Sequence, residues 1–333
     1  MLIGLTYDLQ QDYLDDGYSE EETAEFDSIV TIDSLEDVLR AMGHEVDRIG
    51  RASNLMERLS RGDRWDLVFN ICEGLHGMGR ESLVPALLDA FEIPYTFSDP
   101  LVCAMTLHKG MAKRIVRDLG LPTPDFAVVS TDAAIAKVNL KFPLFAKPVA
   151  EGTSKGVTKD SKCDTPAQLA RTCRALLEQF RQAVLVERYL PGREMTVGIL
   201  GTGERARALG AMEVHLLKDK GAEGEGYSYA NKHDWVGKLH YVIVKGPIAD
   251  EAYALALKVW RGLGCRDGGR VDLRADESGR LNFIEVNPLA GLHPQISDLS
   301  ILNNLAGFKY PDLIGAIVDS AMERVTSAPA VRA

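Results

Sequence analysis

Two short runs, Arg270-Val271-Asp272-Leu273-Arg274 and Phe283-Ile284-Glu285-Val286-Asn287-Pro288, alternate polar and apolar residues. That is the period of a strand with one buried and one exposed face. Side chains two positions apart share a face, so Glu285 and Asn287 point the same way. The intervening residues 275–280 are polar and turn-forming, and the spacing predicts a hairpin. Pairing would bring Asp272 beside Glu285 and Asn287. These are three hard oxygen donors, the set Mg²⁺ takes when it also holds substrate phosphates. A solvated hairpin face of alternating charge has the same pattern, and the hairpin alone leaves both readings open.

At 333 residues the chain has room for two or three domains with their own cores. A net charge of −10 argues against a nucleic-acid partner, which leaves a basic footprint. It does not argue against a phosphate ligand, which a few lysines and helix N-termini can hold. No apolar run reaches the length of a membrane span, so no membrane partner is expected. The apolar start Met1-Leu2-Ile3-Gly4-Leu5 has no basic residues before it and runs into Tyr7-Asp8. It reads as a first buried strand rather than a signal peptide. The 5 cysteines are scattered, with no zinc or redox spacing, and read as reduced residues of a cytoplasmic protein.

The first hundred residues alternate strand patterns (2–7, 45–49, 66–71 and a short one near 95–97) with helical patterns (29–42 and 80–91). This predicts an N-terminal Rossmann-like unit: a small parallel sheet with helices on its faces. Within it, residues 10–27 carry Asp12, Asp15, Asp16, Glu20, Glu21, Glu22, Glu25 and Asp27 with no compensating base. Such a run reads as a solvated loop or helix face, or alternatively as a lid that recognises an amine or cation. A helix at 107–119 ends at Gly120 and Leu121-Pro122-Thr123-Pro124. A second α/β unit follows, with strands at 126–129, 144–147 and 184–187 and helices at 133–138 and 166–180. The last block has antiparallel-looking strands at 194–200 and 208–214, a helix at 250–263, the hairpin and a helical tail. The predicted class is therefore α/β, becoming α+β toward the C-terminus, with domains at 1–100, 101–191 and 192–333.

Two further clusters carry chemistry. Lys147 ends a strand, and Glu151-Gly152-Thr153-Ser154-Lys155-Gly156-Val157 follows at once. Glycines allow close backbone approach while hydroxyls and lysines supply donors, so the loop reads as a phosphate cradle or as a plain surface turn. In the run from Val184 to Glu194, a strand edge at Arg188-Tyr189-Leu190 could read an adenine and Glu194 could accept from ribose hydroxyls. Either glutamate of that run could equally be a solvated residue.

Taken in order, Lys at a strand end, a Gly/Ser/Thr loop, Glu-x-x-x-x-Gly-x-Glu, Arg-x-Asp and Glu-x-Asn-Pro resemble the ATP-grasp enzymes. Within them the chain resembles the D-alanine–D-alanine ligases, supported by Phe69-Asn70, Glu81, Lys109, the turn 120–124 and the run 264–272. The resemblance implies an ATP-grasp fold with ATP and Mg²⁺ as cofactors, Mn²⁺ being a substitute. It implies that Lys109 and Lys147 contact the phosphates and that the loop Gly152, Thr153, Ser154, Lys155, Gly156 closes over them. Glu187 and the backbone of Arg188, Tyr189 and Leu190 would face the adenine, and Glu194 the ribose. Asp272, Glu285 and Asn287 would hold magnesium. Arg270 and the backbone near Gly291 would stabilise developing negative charge, and residues 227–234, with Tyr229, Lys232 and His233, would match the family's loop over the substrates. The implied reaction joins two small amino-acid-like substrates through an acyl phosphate, releasing ADP and phosphate. The implied assembly is a homodimer through the N-terminal region.

The chain also departs from the family. Leu5-Thr6-Tyr7-Asp8 stands where the family has a Gly-Gly turn and a glutamate for the first substrate's amino group. In Cys72-Glu73-Gly74-Leu75-His76-Gly77-Met78-Gly79-Arg80-Glu81, either Glu73 or His76 fills the place of the family's histidine. His233 replaces a common tyrosine. Pro288–Pro294 replaces Ser-Pro-Gly-Met-Thr, so that His293 contacts the second substrate or serves as a structural cap. ATP-site residues match and substrate-site residues do not. The sequence thus favours a carboxylate–amine ligase of unspecified amino-acid-like substrates over D-alanine–D-alanine ligase proper. A nucleotide-binding regulator without turnover is the alternative of another class.

Overall fold

The computed structural model of the chain describes residues 1–216 and 239–327. Strands in chain order are β1 (Leu2–Thr6), β2 (Glu45–Gly50), β3 (Leu67–Asn70), β4 (Phe126–Val129), β5 (Leu144–Pro148), β6 (Lys162–Cys163), β7 (Val184–Arg188), β8 (Glu194–Leu200), β9 (Arg207–Leu216), β10 (Leu239–Ile243), β11 (Gly268–Ala275) and β12 (Leu281–Asn287). Helices are α1 (Gln10–Asp15), α2 (Ile29–Ala41), α3 (Ala52–Ser60), α4 (Leu83–Ala90), α5 (Pro100–Leu107), α6 (Lys109–Asp118), α7 (Asp132–Ile135), α8 (Pro166–Phe180), α9 (Pro247–Leu263), α10 (Asp298–Leu305) and α11 (Tyr310–Ser327).

The strands form three sheets. The first is parallel, in the order β2-β1-β3. One face buries Ile3 and Leu5 against Ile32, Leu35 and Leu39 of α2 and Leu313, Ile314 and Ile317 of α11. The other face packs Val68 and Trp65 against Leu55 and Leu59 of α3 and Leu88 of α4. Apolar residues on both faces explain why these strands read as continuous hydrophobic runs. The segment near Tyr95 makes only a single bridge to Val68.

The second sheet, β4-β7-β5-β6, is antiparallel and covered by α7 and α8. Helix α8 starts where Thr165 and Gln168 form a capping box with Pro166 in the first turn, a start legible from residues alone. The third sheet, β10-β9-β8-β11-β12, packs Val271, Leu273 and Phe283 against Val259 and Trp260 of α9. Its hairpin sets Arg270 opposite Asn287 and Asp272 opposite Glu285, with a register irregularity after Asp272. The fold puts Arg270 of β11, the end of β12 and the loop after β5 around one cavity. Among the described residues no helix is long and apolar enough to cross a membrane.

Candidate active site

Asp272 and Glu285 face each other across the hairpin as direct partners. Arg270, two residues before Asp272 and on the same face, donates to its Oδ2 at 2.6 Å; Asn287 Nδ2 approaches the same oxygen at 3.4 Å. Thr196 of β8 donates to Oδ1 at 2.8 Å. Burial pushes the Asp272 carboxyl up to about 6; Arg270 opposes the shift and the neighbouring Glu285 carboxylate adds to it. Burial also works against Glu285, but Lys109, Lys147 and Arg270 outweigh it and hold that carboxyl well below its usual range. Two in-register carboxylates beside an amide oxygen fit a divalent cation, which would relieve the repulsion that raises Asp272. Asp298, at the first turn of α10, stands 3.6 Å from Arg270 and carries no sequence pattern that points to the site.

A chain of alternating charge leads away from Glu285. Lys147 lies 3.4 Å from Glu285 and 3.5 Å from Glu187, and Lys109 lies 3.7 Å from Glu285 while donating to the Glu151 carbonyl at 2.6 Å. Glu187 also meets Lys113 at 2.7 Å. Lys113 was not singled out by the sequence reading. It sits one helical turn after Lys109 on α6, and that i,i+4 spacing was the available signal. Its side chain is 0% exposed and also donates to Thr123 Oγ1 at 3.0 Å and the Phe283 carbonyl at 3.3 Å. Removing one partner of a buried pair leaves the other uncompensated. Lys113→Met is therefore expected to lower stability by about 3 kcal/mol, read as a fall in the urea midpoint.

The residues expected around the adenine and ribose have their own partners. The Glu187 carboxylate is taken up by lysines rather than turned toward a base. Arg188 and Tyr189 give their backbone N–H groups to the Asp125 and Pro143 carbonyls. The Arg188 side chain pairs with Glu277, Leu190 is buried, and Glu194 is exposed and bonded to Arg274 at 3.0 Å. None of these lines the cavity described next.

That cavity, about 400 Å³, is lined by Lys109, Gly152, Thr153, Arg270, Glu285 and Asn287. Glu25, Asp27, Glu73 and Glu81 also line it, as do Gly291 and His293. The loop after β5 is bent tightly. Thr153, Ser154 and Gly156 have φ of +44°, +60° and +75°, and a Cβ on Gly156 would stand 2.6 Å from Pro148 Cγ. Thr153 Oγ1 is buried without a hydrogen-bond partner. Strained non-glycine backbone of this kind clusters at ligand clamps.

The expectation that the acidic run 10–27 is solvated and has no compensating base is corrected at Glu25. Its side chain, 4% exposed, pairs with Arg80 at 2.7 Å and Lys155 at 3.2 Å and accepts from the Gly152 backbone N–H at 2.7 Å. Lys155, expected at the phosphates, is held by Glu25 and by Glu151 at 2.7 Å. The bases are remote in sequence, so composition could not reveal them.

Of the two candidates for the family's histidine, Glu73 lines the cavity. His76 is exposed outside it, its Nε2 3.5 Å from Tyr18 Oη. His293 lines the cavity, but its Nδ1 accepts from Gln295 N at 3.2 Å and its own N–H donates to Ser297 Oγ at 2.9 Å, a local turn of the capping kind. Tyr229, Lys232 and His233 fall outside the described residues.

Comparison with known proteins shows what the chain is similar to. The family model for the D-ala D-ala ligase C-terminus matches residues 115–319. A D-alanine–D-alanine ligase of Methylobacterium radiotolerans is 32% identical over 296 residues, covering 86% of this chain and 90% of that protein. An uncharacterised protein, y4sG, of Sinorhizobium fredii is 31% identical over 313 residues, covering 88% and 87%. Among solved structures, a D-alanine–D-alanine ligase from Bacillus anthracis complexed with ATP superposes with a TM-score of 0.71 at 20% identity, over 99% of this chain and 100% of that one. That likeness shows the fold.

Proposed function

We propose that this chain, which belongs to the D-alanine–D-alanine ligase family of ATP-grasp enzymes, joins two molecules of D-alanine at the expense of ATP. The names of its relatives favour D-alanine over the unspecified amino-acid pair that the sequence put first. The observation that carries the reading is the in-register Asp272–Glu285 pair, flanked by Lys109, Lys147 and Arg270, with Glu285 and Arg270 lining a cavity that further carboxylates also line. Asp272, Glu285 and Asn287 would hold Mg²⁺, which supplies charge neutralisation to the phosphates.

The chain's own residues have separable tasks. Lys109 and Lys147 draw the phosphates of ATP to the end of β12, and the loop 152–156 covers them, with Thr153 Oγ1 as a spare donor. The first amino acid's carboxylate oxygen attacks the γ-phosphorus, the bond to the β,γ-bridging oxygen breaks, and ADP leaves. The second amino acid's neutral amine then attacks the acyl carbon, the carbon–oxygen bond to phosphate breaks, and the amine loses a proton. Arg270 and the backbone near Gly291 stabilise the negative charge on the tetrahedral carbon's oxygen. No enzyme nucleophile is needed.

With ATP, Mg²⁺ and D-alanine, the expected result is ADP and a dipeptide in equal amounts, read by coupled assay and by mass. ATP binding without D-alanine-dependent ADP would overturn D-alanine as the substrate, and absence of ADP with every amino-acid pair would leave the nucleotide-binding regulator.

A further inference from the structure

One face of β11 carries a row of three polar residues. Val271, Leu273 and Ala275 belong to the core beneath α9, so Arg270, Asp272 and Arg274 share the opposite face. Strand β8 sets Thr196 opposite Asp272 and Glu194 opposite Arg274. Arg270 lines the cavity and Arg274 does not. With Asp272 at the metal and phosphates, the two arginines lie to either side of them. Arg270 is on the side of the reacting groups and Arg274 on the side away from them.

Strand β5 has the same layout. Leu144 and Ala146 belong to the core beneath α8, so Phe145 and Lys147 share the other face. Phe145 lies two residues, about 7 Å, back along the strand from Lys147. Its ring stacks on Tyr189, with centroids 6.4 Å apart and 28° between the planes. Arg274, two residues beyond Asp272, brings its guanidinium carbon to 5.3 Å from the centre of the same ring. Both strands thus offer a group to the phosphates and, two residues farther on, converge at Tyr189. The part of ATP that follows its phosphates, away from the reaction, is the nucleoside.

Arg274 has a donor to spare. Its Nη1 donates to Glu194 Oε2 at 3.0 Å, but Nε is buried and meets no hydrogen-bond acceptor among the described residues. The Tyr189 ring attracts the cation yet is a weak acceptor. Buried donors are normally satisfied. Glu194, its side chain 43% exposed, keeps lone pairs that Arg274 does not use. A ligand hydroxyl both donates and accepts, so one such group answers the two residues together.

We infer that Arg274 reads the ribose of ATP: a sugar hydroxyl donates to Glu194 and accepts from Arg274 Nε. This rests on the ATP site of the ligase reading and adds to it a residue that no sequence pattern singled out. The consequence is a preference for ribonucleotides, because a deoxy sugar leaves the Arg274 donor unpaired and removes a donor from Glu194.

The test measures calorimetric binding of ATP, 2′-deoxyATP and 3′-deoxyATP to the full chain, each with Mg²⁺ and without amino acid. ADP formation with amino-acid pairs is followed on the same preparations. The parent is expected to bind at least one deoxynucleotide about thirtyfold or more weakly than ATP. Arg274→Met is expected to weaken ATP binding and to shrink that ratio to about threefold or less. Arg274→Lys keeps a charge for Glu194 but loses the planar fork, and the ratio is expected to fall likewise. If the methionine variant fails to fold by circular dichroism, the lysine variant decides. Equal binding of the three nucleotides by the parent overturns the inference. So does a ratio unmoved in the folded variants, which is what a merely structural arginine would give. The expected ratios without ADP from any amino-acid pair would defeat the ligase and leave Arg274 as a ribose reader. Absence of nucleotide binding by the parent defeats both.

Discussion

Asp272→Asn is expected to lower D-alanine-dependent ADP formation by about a thousandfold or more, equivalent to about 4 kcal/mol of lost transition-state stabilisation. The substitution keeps the side chain's shape and its place opposite Glu285, and it retains an oxygen for the Thr196 hydroxyl. What it removes is one of the two negative charges that would hold magnesium at the phosphates. Stability moves the other way. A carboxyl raised from 3.8 to about 6 in the folded chain is more basic there than when unfolded, so its ionised form opposes folding above that pH. The neutral amide variant is therefore expected to match or exceed the parent at pH 7, by up to about 3 kcal/mol. Turnover and the urea midpoint measured on one preparation separate the two effects. Undiminished turnover would sink the metal assignment, and a collapsed midpoint would sink the electrostatic account of the site.

Arg80→Met is expected to cost about 3 kcal/mol at pH 7, because it leaves buried Glu25 with Lys155 as its remaining ionic partner. Arg80 also donates to the Ala150 carbonyl at 2.8 Å, so the substitution loosens the approach to the Gly152 loop as well. The pH dependence carries a sign that can be checked. Burial raises the Glu25 carboxyl, but Arg80 and Lys155 outweigh it and bring it from 4.5 down to about 2. A depressed carboxyl stabilises the fold fully above its unfolded value and loses that stabilisation as pH falls toward the folded one. The parent should therefore lose about 3 kcal/mol between roughly pH 5 and pH 2 from this group alone. In Arg80→Met that part of the profile flattens. Urea midpoints taken across this range decide it, and a loss below about 1 kcal/mol at pH 7 would mean that the pair is solvated.

What could be read in the sequence was what local pattern controls. The hairpin, the capping box before α8 and the strand that ends on Lys147 all follow from neighbours within a few residues. Alternation put Glu285 and Asn287 on one face, and a polar turn put Asp272 opposite. Contacts between distant residues left no such trace. Glu25 and Arg80 are 55 positions apart, and each belongs to a segment whose own composition suggests solvent. Lys113 could have been found from its spacing to Lys109, but its partner Glu187 lies on β7, far along the chain. Short elements were also lost: β6, of two residues, is too short for a period to emerge, and α3 is a nine-residue helix with few apolar residues. That Glu73 rather than His76 lines the cavity depends on how one loop turns, a matter of tertiary packing.

Helix α11 closes against the first parallel sheet, burying Leu313, Ile314 and Ile317 with Ile3 and Leu5. Arg324 near its end bonds to Asp267 at 2.6 Å and to the Tyr95 carbonyl at 2.9 Å. The order of synthesis then matters. As the chain leaves the ribosome, one face of the first sheet must wait, with apolar residues uncovered, for a helix that emerges some three hundred residues later. Domains made early in translation usually fold as they appear. Here the first sheet, covered in part by α2, is completed on that face only when α11 has been made.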